Sequence, residues 1–258
     1  MISPLANVSP NAKIGKDVTI MPFAYIEDNV EIGDGCVIMP YVSIMSGTVL
    51  GKNNKVHQHA VLGSEPQDFR YRGEPSGLVI GDNNSIRENV VIARSSRGGQ
   101  SSRIGNGNFL MDKVHFCHDV HLGDNCIIGI GTSVAGDCTI DSCTILSTSV
   151  VLNQSVHVGQ WVLVQGGCRV SKDVPPYIIV AGNPPMYHGV NATVMTHSNV
   201  LKISDRILRH IISAYRLLSQ AQFSLTDAIQ KIKDQVPKSD EIYEILRFVE
   251  SSKNGIVR

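Results

Sequence analysis

The sequence predicts a mainly β fold, a short strand and a turn repeated every six residues, followed by a small C-terminal α-helical domain, and three observations carry that prediction. Apolar residues, nearly all aliphatic, recur at 26 of the 29 positions that a step of six generates from Ile2 to Val170. Small residues form a second series four places behind the first. After Val174 the sixfold spacing ends and apolar residues recur at spacings of three and four.

The first series runs from Ile2, Val8 and Ile14 to Val56 and Leu62, breaks at Asp68 and Glu74, returns in phase at Ile80, Ile86 and Ile92, and breaks again at Gly98. It then continues unbroken from Ile104 through Phe116 to Val170, so three of the 29 positions generated by a step of six miss. An amphipathic helix needs apolar spacing near 3.6 and a half-buried strand needs strict alternation, so neither accounts for a sustained period of six. A short strand and a turn, repeated with one large and one small residue pointing inward, does. The small series includes Ala24, Val30, Thr48, Val120 and four of the six cysteines, Cys36, Cys126, Cys138 and Cys168, which read as small core residues. In these features the chain resembles the hexapeptide-repeat proteins. That resemblance implies a left-handed parallel β-helix with one hexad to each of three faces and 18 residues to a coil.

The two breaks interrupt the series without shifting its phase, so they are loops that leave and rejoin one prism. They lie near 64–78 (SEPQDFRYRGEPSGL) and 94–103 (RSSRGGQSSR). Loops of this length inside a compact domain are usually functional or disordered, and the first, rich in Tyr, Phe, Arg and Asp, reads as ordered and functional. The prolines at 175, 176, 184 and 185 then stop the repeat, which puts the β-helix at 1–190 and the helical domain at 191–258, with helices near 201–219, 224–236 and 239–252. Ser224 followed three residues later by Asp227 marks a capped helix start.

Composition excludes several functions. The 258 residues hold 23 Lys+Arg against 23 Asp+Glu, which leaves no broad electrostatic footprint for nucleic acid, and 42% apolar content is too high for a disordered chain. The start lacks a basic segment followed by an apolar one, and no 18 apolar residues run together, so a cytoplasmic protein without a membrane span is expected. No C-x-x-C pair suggests a disulfide or metal framework.

The register also places the polar residues. His118 follows Phe116 by two and so faces out of the prism, with Asp119 beside it. Eighteen residues on, one coil away, the same column holds Gly136, then Gln154 and Lys172; the neighbouring column holds Asp119, Asp137 and Ser155. An imidazole beside a carboxylate, with a glycine backbone one coil away, suits a general base with an oxyanion donor. His115, His118 and His121 are spaced by threes, but on a β-helix that spacing spreads them around a corner, so no metal site is expected within one subunit.

The motifs VHQHAVLGSEPQDFRYRGEP, IRENVVIAR, LMDKVHFCHD, SVAG, GGCRVSKDVPPY and AGNPPMYHGVN are similar to those of the UDP-N-acetylglucosamine 3-O-acyltransferase family, which starts lipid A synthesis, and the likeness spans essentially the whole chain. The resemblance implies that His118 is the general base, that Asp119 holds its tautomer and that the Gly136 N–H stabilises the oxyanion. It further implies that Gln67, Asp68, Arg70 and His115 contact the sugar nucleotide or line its pocket, that Gln154 and Asn191 contact the nucleotide, and that Gly166 bounds the far end of the acyl chain. The partners implied are UDP-N-acetylglucosamine and an acyl carrier protein bearing a 3-hydroxyacyl chain, in a homotrimer whose sites lie between adjacent β-helices, with no cofactor. Three departures stand out: Asp137 and Asn153 replace family histidines, and the arginine pair expected near Thr196 and His197 is absent. The rival readings are another hexapeptide enzyme, either a coenzyme A-dependent acetyltransferase or a trimeric zinc carbonic anhydrase, and a β-helix scaffold without catalysis.

Overall fold

Two-residue strands are the unit of this molecule, and in each the second residue is a member of the sixfold series: Asn7–Val8, Lys13–Ile14, Thr19–Ile20 and onward to Arg169–Val170. The computed structural model describes residues 1–197, 203–220 and 222–258. Its strands form three sheets of nine, eight and ten strands, parallel except at the final hairpin, wound as a left-handed β-helix. Strands pair with a register of 18 residues, as in Asn7 with Tyr25 and Tyr25 with Ser43. The offset grows to 30 between Val61 and Val91 and to 24 between Val91 and His115. The first excursion therefore inserts 12 residues into its coil and the second 6, which are the lengths of the two breaks in the series.

The inward side is closed by the repeat itself. From Ile20 to Val170 no aliphatic member of the sixfold series is more than 4% exposed. Burying each such side chain contributes about 1.5–3 kcal/mol, and the sum, repeated over coil after coil, offsets the entropy of ordering so many turns. The small series does more than fill space. Cys36, Thr132, Cys138 and Thr144 each donate to the backbone carbonyl 15 residues further on, at 3.0, 2.8, 3.1 and 2.9 Å. Where the small residue is asparagine the bond runs between coils: Asn84 Nδ2 donates to Asn54 Oδ1 at 3.0 Å and the Asn108 amide to Asn84 Oδ1 at 2.8 Å. Most buried polar groups of this series thus find partners inside the prism; among the described residues Thr48 Oγ1 and Asn108 Nδ2 do not.

Past the prolines lies a hairpin that the repeat does not announce: Ile178–Ala181 adds in parallel to Leu163–Val164, and Met186–Val190 returns antiparallel to it. A short helix α1, Ala192–His197, follows and was not expected from the pattern. The three expected helices are α2 at Asp205–Leu218, α3 at Leu225–Gln235 and α4 at Asp240–Ser251. Residues 201 and 202, in the expected start of the first of these, lie outside the described residues. Ser224 caps α3 as the sequence indicates, its Oγ accepting from the Asp227 amide at 3.1 Å. Helices pack on the end of the prism through α2, whose Tyr215 hydroxyl donates to the Pro176 carbonyl at 2.5 Å. The chain end ties the domain shut: Arg258 donates to the carbonyls of Leu218 at 2.7 Å and Phe223 at 3.0 Å. No helix among the described residues is long and apolar enough to cross a membrane.

Candidate active site

His118 and Asp119 form the turn between the strands His115–Phe116 and His121–Leu122, which belong to different sheets, so the pair sits on a corner of the prism. At Asp119 the backbone is left-handed (φ 60°), a conformation that aspartate and asparagine tolerate better than most residues. The same position is left-handed one coil on, at Asp137, and on the same corner near the start of the prism, at Asn29. It brings the Asp119 carboxylate to 2.8 Å from His118 Nδ1.

His118 faces out of the prism, as its register requires, yet it does not stand in solvent: it is 7% exposed and Asp119 4%. The two excursion loops fold over this corner. From the second loop, Asp119 accepts hydrogen bonds from Ser95 Oγ, from the Ser96 amide at 3.2 Å and from Ser96 Oγ at 2.7 Å. Burial pushes the Asp119 carboxyl up, but the bonds from Ser95, Ser96 and His118 outweigh it and hold the group at about 2. An ionised Asp119 fixes Nδ1 as the protonated nitrogen and leaves the lone pair on Nε2. That nitrogen points towards the first loop, where Asp68 Oδ2 lies 3.6 Å away. Asp68 is held in turn by the Arg70 side chain (Nη2 at 2.8 Å) and the Arg70 amide at 2.9 Å, which keep its carboxyl well below the usual carboxylate range.

Gly136 lies directly beneath the ring, for a Cβ built there would come within 2.5 Å of His118 Cε1 and 2.6 Å of Nε2. Its backbone N–H donates to no protein acceptor among the described residues. Asp137, beside it, accepts from Gln154 Nε2 at 3.1 Å and pairs with the Arg97 guanidinium, whose other edge lies 3.3 Å from Asp119 Oδ1. Ser95, Ser96 and Arg97 were not singled out from the sequence, and the only signal for them was the break at Gly98 that marked their loop. Asp68, Arg70, Tyr71, Ser96 and Arg97 line a 240 Å³ pocket at this corner. A larger hollow of 780 Å³, between α3 and α4, is lined by residues such as Lys233, Tyr243 and Arg247 and holds none of these groups.

The other predicted site residues divide. His115 is half-buried on the adjoining strand, where burial pushes its imidazole down from the ordinary value and keeps it neutral; Gln67 is exposed on the first loop. Gly166 belongs to another corner, between the strands Leu163–Val164 and Arg169–Val170. Asn191 is 2% exposed, and its Nδ2 donates to the Trp161 carbonyl at 2.9 Å on the third corner. His115 and His121 lie on strands of two different sheets, and among the described residues no group of three His, Cys, Asp or Glu could hold a metal ion. The side chains of Thr196 and His197 lie outside the described residues, and Arg206 is exposed in the first turn of α2.

Comparison with known proteins bears on this geometry directly. Residues 173–257 match the family described as UDP N-acetylglucosamine O-acyltransferase, domain 2, and residues 11–40, 31–64 and 101–136 match bacterial transferase hexapeptide repeats. The acyl-(acyl-carrier-protein)–UDP-N-acetylglucosamine O-acyltransferase of Syntrophobacter fumaroxidans is 34% identical over 259 aligned residues, covering 100% of this chain and 99% of the relative. The chain belongs to the UDP-N-acetylglucosamine O-acyltransferase family. A solved UDP-N-acetylglucosamine acyltransferase from Bacteroides fragilis shares 44% identity and a TM-score of 0.96, each chain covered in full. That from Francisella novicida shares 32% identity and a TM-score of 0.94 over 100% of this chain and 94% of its own. Membership of this O-acyltransferase family sets the reaction class in which the His118 corner has to be understood.

Proposed function

We propose that this acyltransferase moves a (3R)-3-hydroxyacyl group from acyl carrier protein to the 3-hydroxyl of UDP-N-acetylglucosamine, the first step of lipid A biosynthesis, with His118 as its general base. The observation that carries the reading is the His118–Asp119 pair with an uncommitted Gly136 amide beneath the ring. The sugar hydroxyl gives its proton to His118 Nε2 while its oxygen attacks the thioester carbonyl. The tetrahedral oxyanion is stabilised by the Gly136 N–H, a donor whose use costs no existing bond. Collapse of the intermediate breaks the carbon–sulfur bond, and the imidazolium returns its proton to the leaving thiolate. Asp119 keeps the ring in the right tautomer and stabilises its charged form, as a carboxylate does in a Ser-His-Asp triad. The thioester supplies the driving force, so no cofactor enters the scheme.

Substrate contacts follow from the same corner. Asp68 Oδ2 lies 3.6 Å from Nε2, so a sugar bound over the pair would present neighbouring hydroxyls to the two groups. By the family resemblance, Gln67, Arg70 and His115 contact the sugar nucleotide or line its pocket, and Gln154, one coil beyond Gly136, contacts the nucleotide. Asn191 and Gly166 belong to other corners of the same protomer. A homotrimer, in which corners of neighbouring β-helices meet, would bring such residues to one substrate and close the open side of the cleft. Gly166 would leave room for the tail of a long acyl chain. The ten Lys+Arg against seven Asp+Glu in residues 201–258 suit an acidic carrier protein. We place the reaction in the cytoplasm, the compartment that six free thiols fit best.

The test is an assay of UDP-N-acetylglucosamine with 3-hydroxyacyl carrier proteins of graded chain length, run on the native protein and on His118→Ala. The variant is expected to lose at least ~10²-fold in turnover. Full activity in it would remove His118 from the chemistry, and turnover of short acetyl donors alone would favour a different hexapeptide enzyme.

A further inference from the structure

We propose that Arg97 is a positioning residue for this reaction: its guanidinium, held between Asp119 and Asp137, steadies the carboxylate that orients His118 and offsets the negative charge around the ring. This rests on the reading of His118 as the base.

The placement is specific. Arg97 comes from the second excursion loop, and that loop is pinned to the first by the Ser95 amide on the Gly77 carbonyl at 3.1 Å and the Gly99 amide on the Pro75 carbonyl at 2.8 Å. The Arg97 amide also donates to Ser95 Oγ at 3.0 Å, and Ser95 Oγ donates to Asp119. Backbone and side chain of Arg97 therefore act on the same carboxylate. One edge of its guanidinium faces Asp119 and the other Asp137, one coil further on. Asp137 is itself fixed by Gln154. A guanidinium can serve two carboxylates in fixed directions because its donors form a rigid fork, which a lysine ammonium lacks.

The charges around His118 come from three elements. Asp119 and Asp137 belong to successive coils, Asp68 and Arg70 to the first loop, and Arg97 to the second. On the preceding strand burial pushes the His115 imidazole down, and just after it the Cys117 thiol up, which favours the uncharged form of each. Three carboxylates against two guanidiniums leave one negative charge, which the imidazolium formed in turnover neutralises. Without Arg97 two negative charges would surround the ring, and a nearby carboxylate favours the protonated imidazole. A protonated ring cannot accept the hydroxyl proton. Arg97 is half-exposed, but both of its edges already face carboxylates, so a role in holding substrate phosphate would require giving those contacts up.

The test compares native protein, Arg97→Ala, Arg97→Lys and the double variant Arg97→Ala/Asp137→Asn by the pH dependence of kcat/KM for UDP-N-acetylglucosamine and by kcat and KM separately. Arg97→Ala is expected to lose roughly tenfold in kcat, with KM changed less than about twofold, and to move the acidic limb of the profile up by about one pH unit. The double variant should return the limb towards its native position, because it removes one charge of each sign. Arg97→Lys should keep the limb and lose part of the kcat. An unmoved limb in Arg97→Ala would overturn the proposal. So would a large rise in KM at unchanged kcat, which would make Arg97 a substrate contact. Loss of activity in His118→Ala alongside either result would leave the base intact and remove only the role of Arg97.

Discussion

Two corners of the prism use the same turn and spend its amides differently. On the corner that ends at Trp161, the turn amide of one coil donates to a side chain of the next: Lys16 to Asp34, Asp82 to Asn106, Asn106 to Asp124 and Asp124 to Ser142, at 2.6 to 2.9 Å. On the His118 corner, the equivalent amide at Gly136 has no such partner among the described residues: the side chain one coil further on, Gln154, turns to Asp137 instead, and the imidazole of the preceding coil lies over the glycine. Both are outward turn positions on one scaffold. What separates them is whether the backbone donor is satisfied by the protein, which stiffens the coil, or left for something else. A polar group left unsatisfied has a cost in stability, and functional sites are where such costs concentrate.

The sharpest way to break this contrast is Gly136→Ala. The added Cβ would overlap the His118 ring and force it off the Asp119 carboxylate and off the amide below, so turnover should fall by about 10²–10³-fold while the melting temperature moves little. Steady-state kinetics beside thermal unfolding would show it; unchanged kcat would mean that the ring and the amide do not act together.

Next in size is Asp119→Asn. Turnover should fall by about 10²-fold, since the amide can hold the ring in the wrong tautomer and cannot stabilise the imidazolium. The same variant tests a stability link. Asp119 sits at about 2 in the folded chain against an ordinary 3.8, so the folded state binds the proton less readily than the unfolded state does. The resulting stabilisation, about 2 kcal/mol, is present in full above pH 4 and is lost as pH falls through about 2. Urea unfolding of the native protein should show that loss on acidification, and Asp119→Asn should show correspondingly less of it.

The smallest effect belongs to the structural corner. Asp124→Ala removes the acceptor of the Asn106 amide (2.6 Å) and of Asn106 Nδ2 (3.0 Å) and should lower unfolding free energy by about 1–2 kcal/mol with activity within twofold of native. If this variant lost activity as Gly136→Ala does, the distinction between the corners would not hold.

Much of this was legible in the residues because the repeat is strictly periodic. Buried Ile26, Leu110 and Val164 lie where a step of six puts them, and the pairing of His115 with Ser133 and Ser133 with Val151 confirms the 18-residue column that stacks Gly136 beneath His118. The breaks in the series foretold how many residues the two loops add. They could not foretell where the loops go. The cover over His118, and the roles of Ser95, Ser96 and Arg97 in holding Asp119, come from segments without periodicity, whose conformation is set by contacts with each other and with the corner.

Asn191 shows the same division from the other side. The resemblance placed it at a nucleotide, and its own surroundings place it in a buried bond to the Trp161 carbonyl, on a different corner from Gln154. The sequence alone determined which residues are stacked above which, because vertical neighbours in a β-helix follow from counting. Tertiary structure decided what lies beside the stack: a loop closes over one corner and not another according to side-chain contacts between residues 22 to 50 positions apart, such as Arg97 with Asp119 and Asp68 with His118, and no local period encodes those.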